Sequence, residues 1–170
     1  MLGLGAAGII AASCTPMTPP PVGSSSEPAY LVSQVDTPTT AILSAGDSVN
    51  LGPDGVTPYR MAGIPDGLGA YDNGNGTFTV LMNHELGATV GTNRAHGAKG
   101  AYVSKWIVDA DTLEVRHGED LIQQVATQNT ATGTWNAPAT GVSLNRLCSA
   151  DLPAPSALFD AASGLGTTER

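Results

Sequence analysis

Residues 61–87 read MAGIPDGLGAYDNGNGTFTVLMNHELG, and their pattern decides the fold. Two Asn-Gly pairs, Asn73-Gly74 and Asn75-Gly76, sit between apolar runs. Asn-Gly in that setting is a strong hairpin signal, because a type I′ turn needs positive φ at both central residues. The return run, Thr77-Phe78-Thr79-Val80-Leu81-Met82, is β-branched, aromatic and apolar, as a half-buried strand requires. A hairpin over 68–83 follows. Its second strand runs into Asn83-His84-Glu85, three side chains that can hold a metal or a phosphate-like ligand. Groups at the end of a rigid strand are well positioned for such work.

A second hairpin lies downstream. Residues 101–109, AYVSKWIVD, alternate, so Tyr102, Ser104, Trp106 and Val108 share one face of a strand. Asp109-Ala110-Asp111-Thr112 is a turn signal, Leu113-Glu114-Val115-Arg116 a partner strand, and Asp120-Leu121-Ile122 a further short element. The turns near 74 and 110 have the spacing of a propeller blade or a sandwich meander, with no sequence repeat to choose between them. With 21 Gly and 12 Pro, an all-β chain rich in turns is expected. Residues 41–47 suggest a strand and turn, Pro65-Asp66-Gly67 a turn, and 153–162 a short helix after Pro155.

The ends read differently. Residues 1–14 begin with an apolar run of small residues, MLGLGAAGIIAAS, too short to span a membrane and without a basic residue ahead of it. Two readings stand: an export signal, or a plain N-terminal extension. Within the first, Ala11-Ala12-Ser13-Cys14 loosely matches a lipoprotein cleavage box, with Cys14 as the lipidated residue and the chain's membrane contact. Residues 15–28 are Pro- and Ser-rich and read as a flexible tether. Residues 29–170 form the β-rich portion. It ends in a loop-like stretch that leads toward a further strand, so the chain is expected to be the front portion of a larger protein. Open hairpin edges then invite edge-strand self-association.

Only 13% of residues are charged and the net charge is −8, which argues against a nucleic-acid partner and permits divalent cations. Cys148 is alone in the mature region and is expected to be a buried structural thiol. His96 and His117 are expected in surface loops, and Arg94 or Lys99 could meet an anion. No GxSxG, HExxH, Walker loop or CxxC pair occurs. In Asn83-His84-Glu85, neighbouring side chains of a regular strand face opposite ways. Glu85 is therefore the candidate ligand, Asn83 its supporting amide on the same face, and His84 an outer partner or packing residue. Asp66 is a turn residue first and a ligand second.

Three segments in order, MAGIPDGLGAYDNGNGTFTVLMNHELG, GAYVSKWIVDADTLEVRHGEDLI and GVSLNRLCSADL, resemble the N-terminal part of the PhoX-type alkaline phosphatases, secreted bacterial β-propellers. The resemblance covers roughly residues 60–160. It implies antiparallel hairpins forming part of a propeller, an exported protein with calcium and iron at its centre, and hydrolysis of small phosphate monoesters. It implies Glu85 as a metal ligand, and it aligns Asn145, Arg146 and Cys148 with the segment before the family's catalytic core. Arg146 would then meet substrate, with Asn145 supporting it. The chain departs from the family after Cys148. Ser149-Ala150-Asp151-Leu152-Pro153 stands where the family has Thr-Cys-Glu-Glu, whose Cys binds iron, and no paired glutamates precede Arg170. A fragment inactive by itself is expected. The alternative is a non-catalytic exported β-rich binding or structural module.

Overall fold

The computed structural model describes residues 22–49, 52–149 and 159–166. These residues are all-β, with no helix among them. In chain order the strands are β1 (Ser48–Val49), β2 (Tyr59–Arg60), β3 (Pro65–Asp72), β4 (Thr77–His84), β5 (Tyr102–Asp109), β6 (Val115–Asp120), β7 (Gln128–Asn129), β8 (Thr134–Trp135), β9 (Phe159–Asp160) and β10 (Leu165–Gly166). The centre is a four-stranded antiparallel meander in the order β3-β4-β5-β6. Three two-stranded pairs, β1-β2, β7-β8 and β9-β10, complete the described strands.

Both expected hairpins form, with differences in detail. The first is closed by a longer connection than a two-residue type I′ turn. Gly74 and Gly76 take positive φ (72° and 80°), while Asn75 between them does not. The Asn75 side chain instead accepts the Thr77 hydroxyl (2.7 Å), and the Asn73 amide donates to the same hydroxyl (2.9 Å). Pro65-Asp66-Gly67 is not a separate turn but the start of β3, where the register shifts between Pro65 and Leu68. An edge strand with a bulge tolerates a proline that cannot donate to a ladder. Asp120 closes β6, and Leu121 continues its pairing through an N–H to the Val103 carbonyl (2.9 Å), so no separate element forms there.

Three further expectations are corrected. Residues 41–44 stay outside the strands, and the first strand is β1, after the turn at Ala45-Gly46. Within 153–162, Phe159–Asp160 is a strand paired with Leu165–Gly166 rather than part of a helix; residues 153–158 lie outside the described residues. The end of the supposed tether is held: Ser24 accepts the Val115 N–H (2.8 Å), and the Ser26 hydroxyl donates to Asp47 (2.5 Å). Residues 1–21, which include Cys14 and the first half of the expected tether, lie outside the described residues.

One sheet face makes the core. Register places Phe78, Val80, Met82 and His84 of β4 opposite Val108, Trp106, Ser104 and Tyr102 of β5. Val49, Met61, Trp106, Val108 and Val115 are the buried cluster, with Ile42, Leu43, Tyr59, Phe78, Val80 and Met82 packed against it. Trp106 meets Tyr59 edge-on, with ring centroids 5.1 Å apart. A large ring in such a position is worth about 3–5 kcal/mol against alanine. Gly118 lies opposite Trp106 in the β5–β6 register, where a side chain has no room.

The top of that face is polar yet buried. The His84 ring stacks on Tyr102 (4.1 Å, 3° between planes), and the Arg94 guanidinium covers the other side of the same phenol at 3.7 Å. Ser104 joins His84 Nε2 (2.8 Å) and accepts the Trp106 indole N–H (2.7 Å). Arg94 is ion-paired with Asp120, which also accepts the Tyr59 hydroxyl (2.5 Å) and the Ala95 N–H (2.8 Å).

Two outcomes follow. A Cβ on Gly118 would stand 2.5 Å from Tyr59 Cδ1 and 2.7 Å from Trp106 Cζ3. Gly118→Ala should therefore destabilise the protein by about 1–3 kcal/mol, read as a lowered urea midpoint. Burial pushes the His84 pKa down from 6.5 to about 4, because the charged ring loses its water. The unfolded chain takes up this proton below 6.5 and the folded chain only near 4, so stability is present above that window and falls as pH drops through it. The loss should be on the order of 2 kcal/mol between pH 7 and 4. Urea titrations across that range, compared with His84→Gln, isolate the slope, which the variant should lack.

Candidate functional site

β4 delivers Asn83, His84 and Glu85 to one end of the sheet, and strand parity separates them. His84 is fully buried among the core rings. Asn83 and Glu85 belong to the opposite side. There Pro65 pairs with His84, so the bulged start of β3 brings Asp66 beside Glu85.

The third component is the segment 144–149. Gly100 and Leu144 form a parallel bridge, and Ala101 N–H donates to the Leu144 carbonyl (3.0 Å). Gly100 permits this approach, because a Cβ there would sit 2.1 Å from the Leu144 carbonyl oxygen. Arg146 N–H donates to Leu86 (3.1 Å), Asn145 Oδ1 accepts the Ala88 N–H (3.1 Å), and Gly67 N–H donates to the Cys148 carbonyl (2.8 Å). The Asn83 amide donates to the Ser149 carbonyl (3.1 Å). Asn83 and Asn145 thus act as clamps on this segment. Arg146 itself holds a left-handed backbone, φ 55°, a strain that persists only where neighbours enforce it.

These clamps bring together Asp66, Glu85 and Cys148, whose donor atoms lie within 4.8 Å of one another. The Cys148 thiol donates to Glu85 Oε1 (3.0 Å), and Arg146 Nη1 reaches the same oxygen at 3.4 Å. Glu85 is half-buried, while Asp66, Arg146 and Cys148 are exposed. The hydrogen bond from Cys148, with help from Arg146, holds the Glu85 carboxyl below its usual range. The same hydrogen bond and the nearby carboxylates push the Cys148 thiol up.

Of the residues singled out from sequence, Asp66, Glu85, Arg146 and Cys148 converge. Cys148 does so as an exposed group and not as a buried structural thiol, since its segment runs along the sheet end instead of under it. His96 is not on the surface: it is 0% exposed, and neither ring nitrogen has a partner. The tight loop that closes Gly97 N–H onto Arg94 O (2.8 Å) turns it inward. His117 sits on β6, near Glu119 (3.7 Å). Sequence reasoning missed the Tyr59–Arg94–Asp120 group, whose members are 35 and 26 residues apart and carry no local pattern.

Comparison with protein-family models, with curated proteins and with solved structures returns no significant match to this chain.

The raised thiol has a kinetic signature. Thiolate, not thiol, attacks disulfide reagents. Cys148 should therefore react slowly with a neutral aromatic disulfide at pH 7.5 despite its exposure. Glu85→Gln removes the carboxylate that raises it and should speed the reaction several-fold. Equal rates in the two proteins would mean that the Cys148–Glu85 contact does not form.

Proposed function

We propose that this chain is the N-terminal portion of an exported, PhoX-like metal-dependent phosphoesterase, with the β3–β6 meander as one blade of a propeller. The observation that carries the reading is the convergence of three separated segments on the Asp66–Glu85–Cys148 cluster, with Arg146 beside it. Two ligands of a single ion at a radius of about 2.4 Å stand at most about 4.8 Å apart, and these three donors satisfy that spacing.

The donor set fits a cation. The Asp66 and Glu85 carboxylates are hard donors suited to calcium, and the Cys148 sulfur suits a softer ion such as iron. A bound ion would polarise phosphoryl oxygens and stabilise developing charge. The chain's own contribution is positional. Asn83 and Asn145 hold the 144–149 segment against the sheet end, and Arg146 presents a planar guanidinium matched to a phosphate. Small phosphate monoesters are the substrate class, and further ligands come from residues beyond this cluster.

The second reading, a non-catalytic exported β-rich module, is favoured by one feature. Glu85 is already engaged by Arg146 and Cys148, so the cluster satisfies itself as a tie between strand end and loop.

Metal titration separates the two. Under the first reading, calcium or ferrous iron raises Tm, and at a hundredfold excess over Kd a bound ion adds about 2.7 kcal/mol of stability. Glu85→Gln should abolish that rise and the metal content together, with loss of p-nitrophenyl phosphate hydrolysis in the longer protein. No metal-dependent shift in the wild-type chain would leave the module reading standing.

A further inference from the structure

A cavity of about 460 Å³ opens on the other side of the β4 end. Its walls include Arg60 of β2, Met61, Leu86, Thr92, Arg94 and Tyr102. None of Asp66, Glu85, Arg146 or Cys148 lines it, and neither does any carboxylate among the described residues. In a chain of net charge −8 with only seven basic residues, two arginines line this acid-free cavity, and Arg60 is the one whose charge no carboxylate among the described residues pairs with.

The donors there are available. Arg94 spends Nε and Nη2 on Asp120 and Tyr59. Nη1 makes no hydrogen bond among the described residues, and the Arg94 side chain keeps 14% of its surface exposed. Arg60 is exposed and makes no side-chain hydrogen bond or ion pair among the described residues. Asp120 offsets the charge of Arg94 but leaves the free edge of its fork pointing away from the pair. The stack on Tyr102 and the Asp120 contacts hold that fork still, so little rotamer entropy remains to be lost on binding. Tyr102 is 1% exposed and forms part of the cavity wall.

We propose that this cavity binds a small organic anion through a phosphate or carboxylate group, with Arg60 and the Arg94 Nη1 edge as its contacts. Guanidinium groups recognise both by paired N–H donors. The volume accommodates a molecule larger than the free ion. The site is independent of the metal reading, because it uses no residue of the Asp66–Glu85–Cys148 cluster.

The test is calorimetric titration of chelator-treated protein at low ionic strength with inorganic phosphate and, separately, with acetate. Saturable 1:1 binding of either is expected; tighter phosphate binding identifies a phosphate ligand, and tighter acetate binding a carboxylate. Arg60→Ala should weaken binding by about tenfold or more with Tm unchanged. Arg94→Lys, which keeps a cation beside Asp120 but loses the fork, should weaken it as well. Arg146→Ala should leave it intact. The proposal is overturned if wild type binds neither anion, if Arg60→Ala binds as tightly as wild type, or if Arg146→Ala is the variant that loses binding. Because metal is absent, failure here is separate from failure of the phosphoesterase reading.

Discussion

The Arg94–Asp120 ion pair is the constraint on which the sheet end depends. Both side chains are mostly buried, at 14% and 10% exposure, in a setting where a lone charge is very costly. Breaking such a pair from one side typically costs about 3–5 kcal/mol, because the survivor is left uncompensated. Here the pair is well satisfied. Asp120 takes donors from Tyr59, Arg94 and Ala95, so one carboxylate joins β2, the loop before β5 and the end of β6. The hydrophobic core below cannot supply this alone. It is small and rests largely on Trp106, Val108 and their neighbours.

That tie also fixes the layering above it. Arg94 covers one face of Tyr102 and His84 the other, so the rings at the end of β4 and β5 have little freedom. His84 is held inward, and parity then turns Glu85 outward. A structural histidine and a candidate ligand therefore sit side by side in sequence yet serve opposite sides of the sheet. The same rigidity gives Glu85 and the cavity wall at Arg94 fixed positions relative to the meander.

Much of the fold was legible because strand periodicity is local. The alternation of Tyr102, Ser104, Trp106 and Val108 placed all four on the buried face, and the Asn-Gly pairs located the first hairpin. What was not legible depends on distant partners. Pro65-Asp66-Gly67 has turn chemistry, yet β4 recruits it as a bulged edge strand. His96 looks like a surface residue until the loop from Arg94 to Ala98 folds it under. Leu113 at φ 59° lets the chain bend before β6, which moves that strand later than its apolar pattern suggests.

The candidate site divides the same way. Glu85 was singled out from its place at a strand end, Cys148 as the lone thiol of its region, and Arg146 from the resemblance expected of its segment. Their meeting was not visible, since it depends on Gly100 admitting the Leu144 carbonyl and on Asn83 reaching Ser149. In both contacts the partner in the 144–149 segment is a backbone carbonyl, which leaves no side-chain signature. The strain at Arg146 points the same way. Arg146 holds φ 55°, and Arg146→Gly would relax that backbone while giving up the cation that pairs with Glu85 among the described residues. The cluster is thus built by the loop as much as by the strand, and the chemistry available there depends on how firmly residues 144–149 are held.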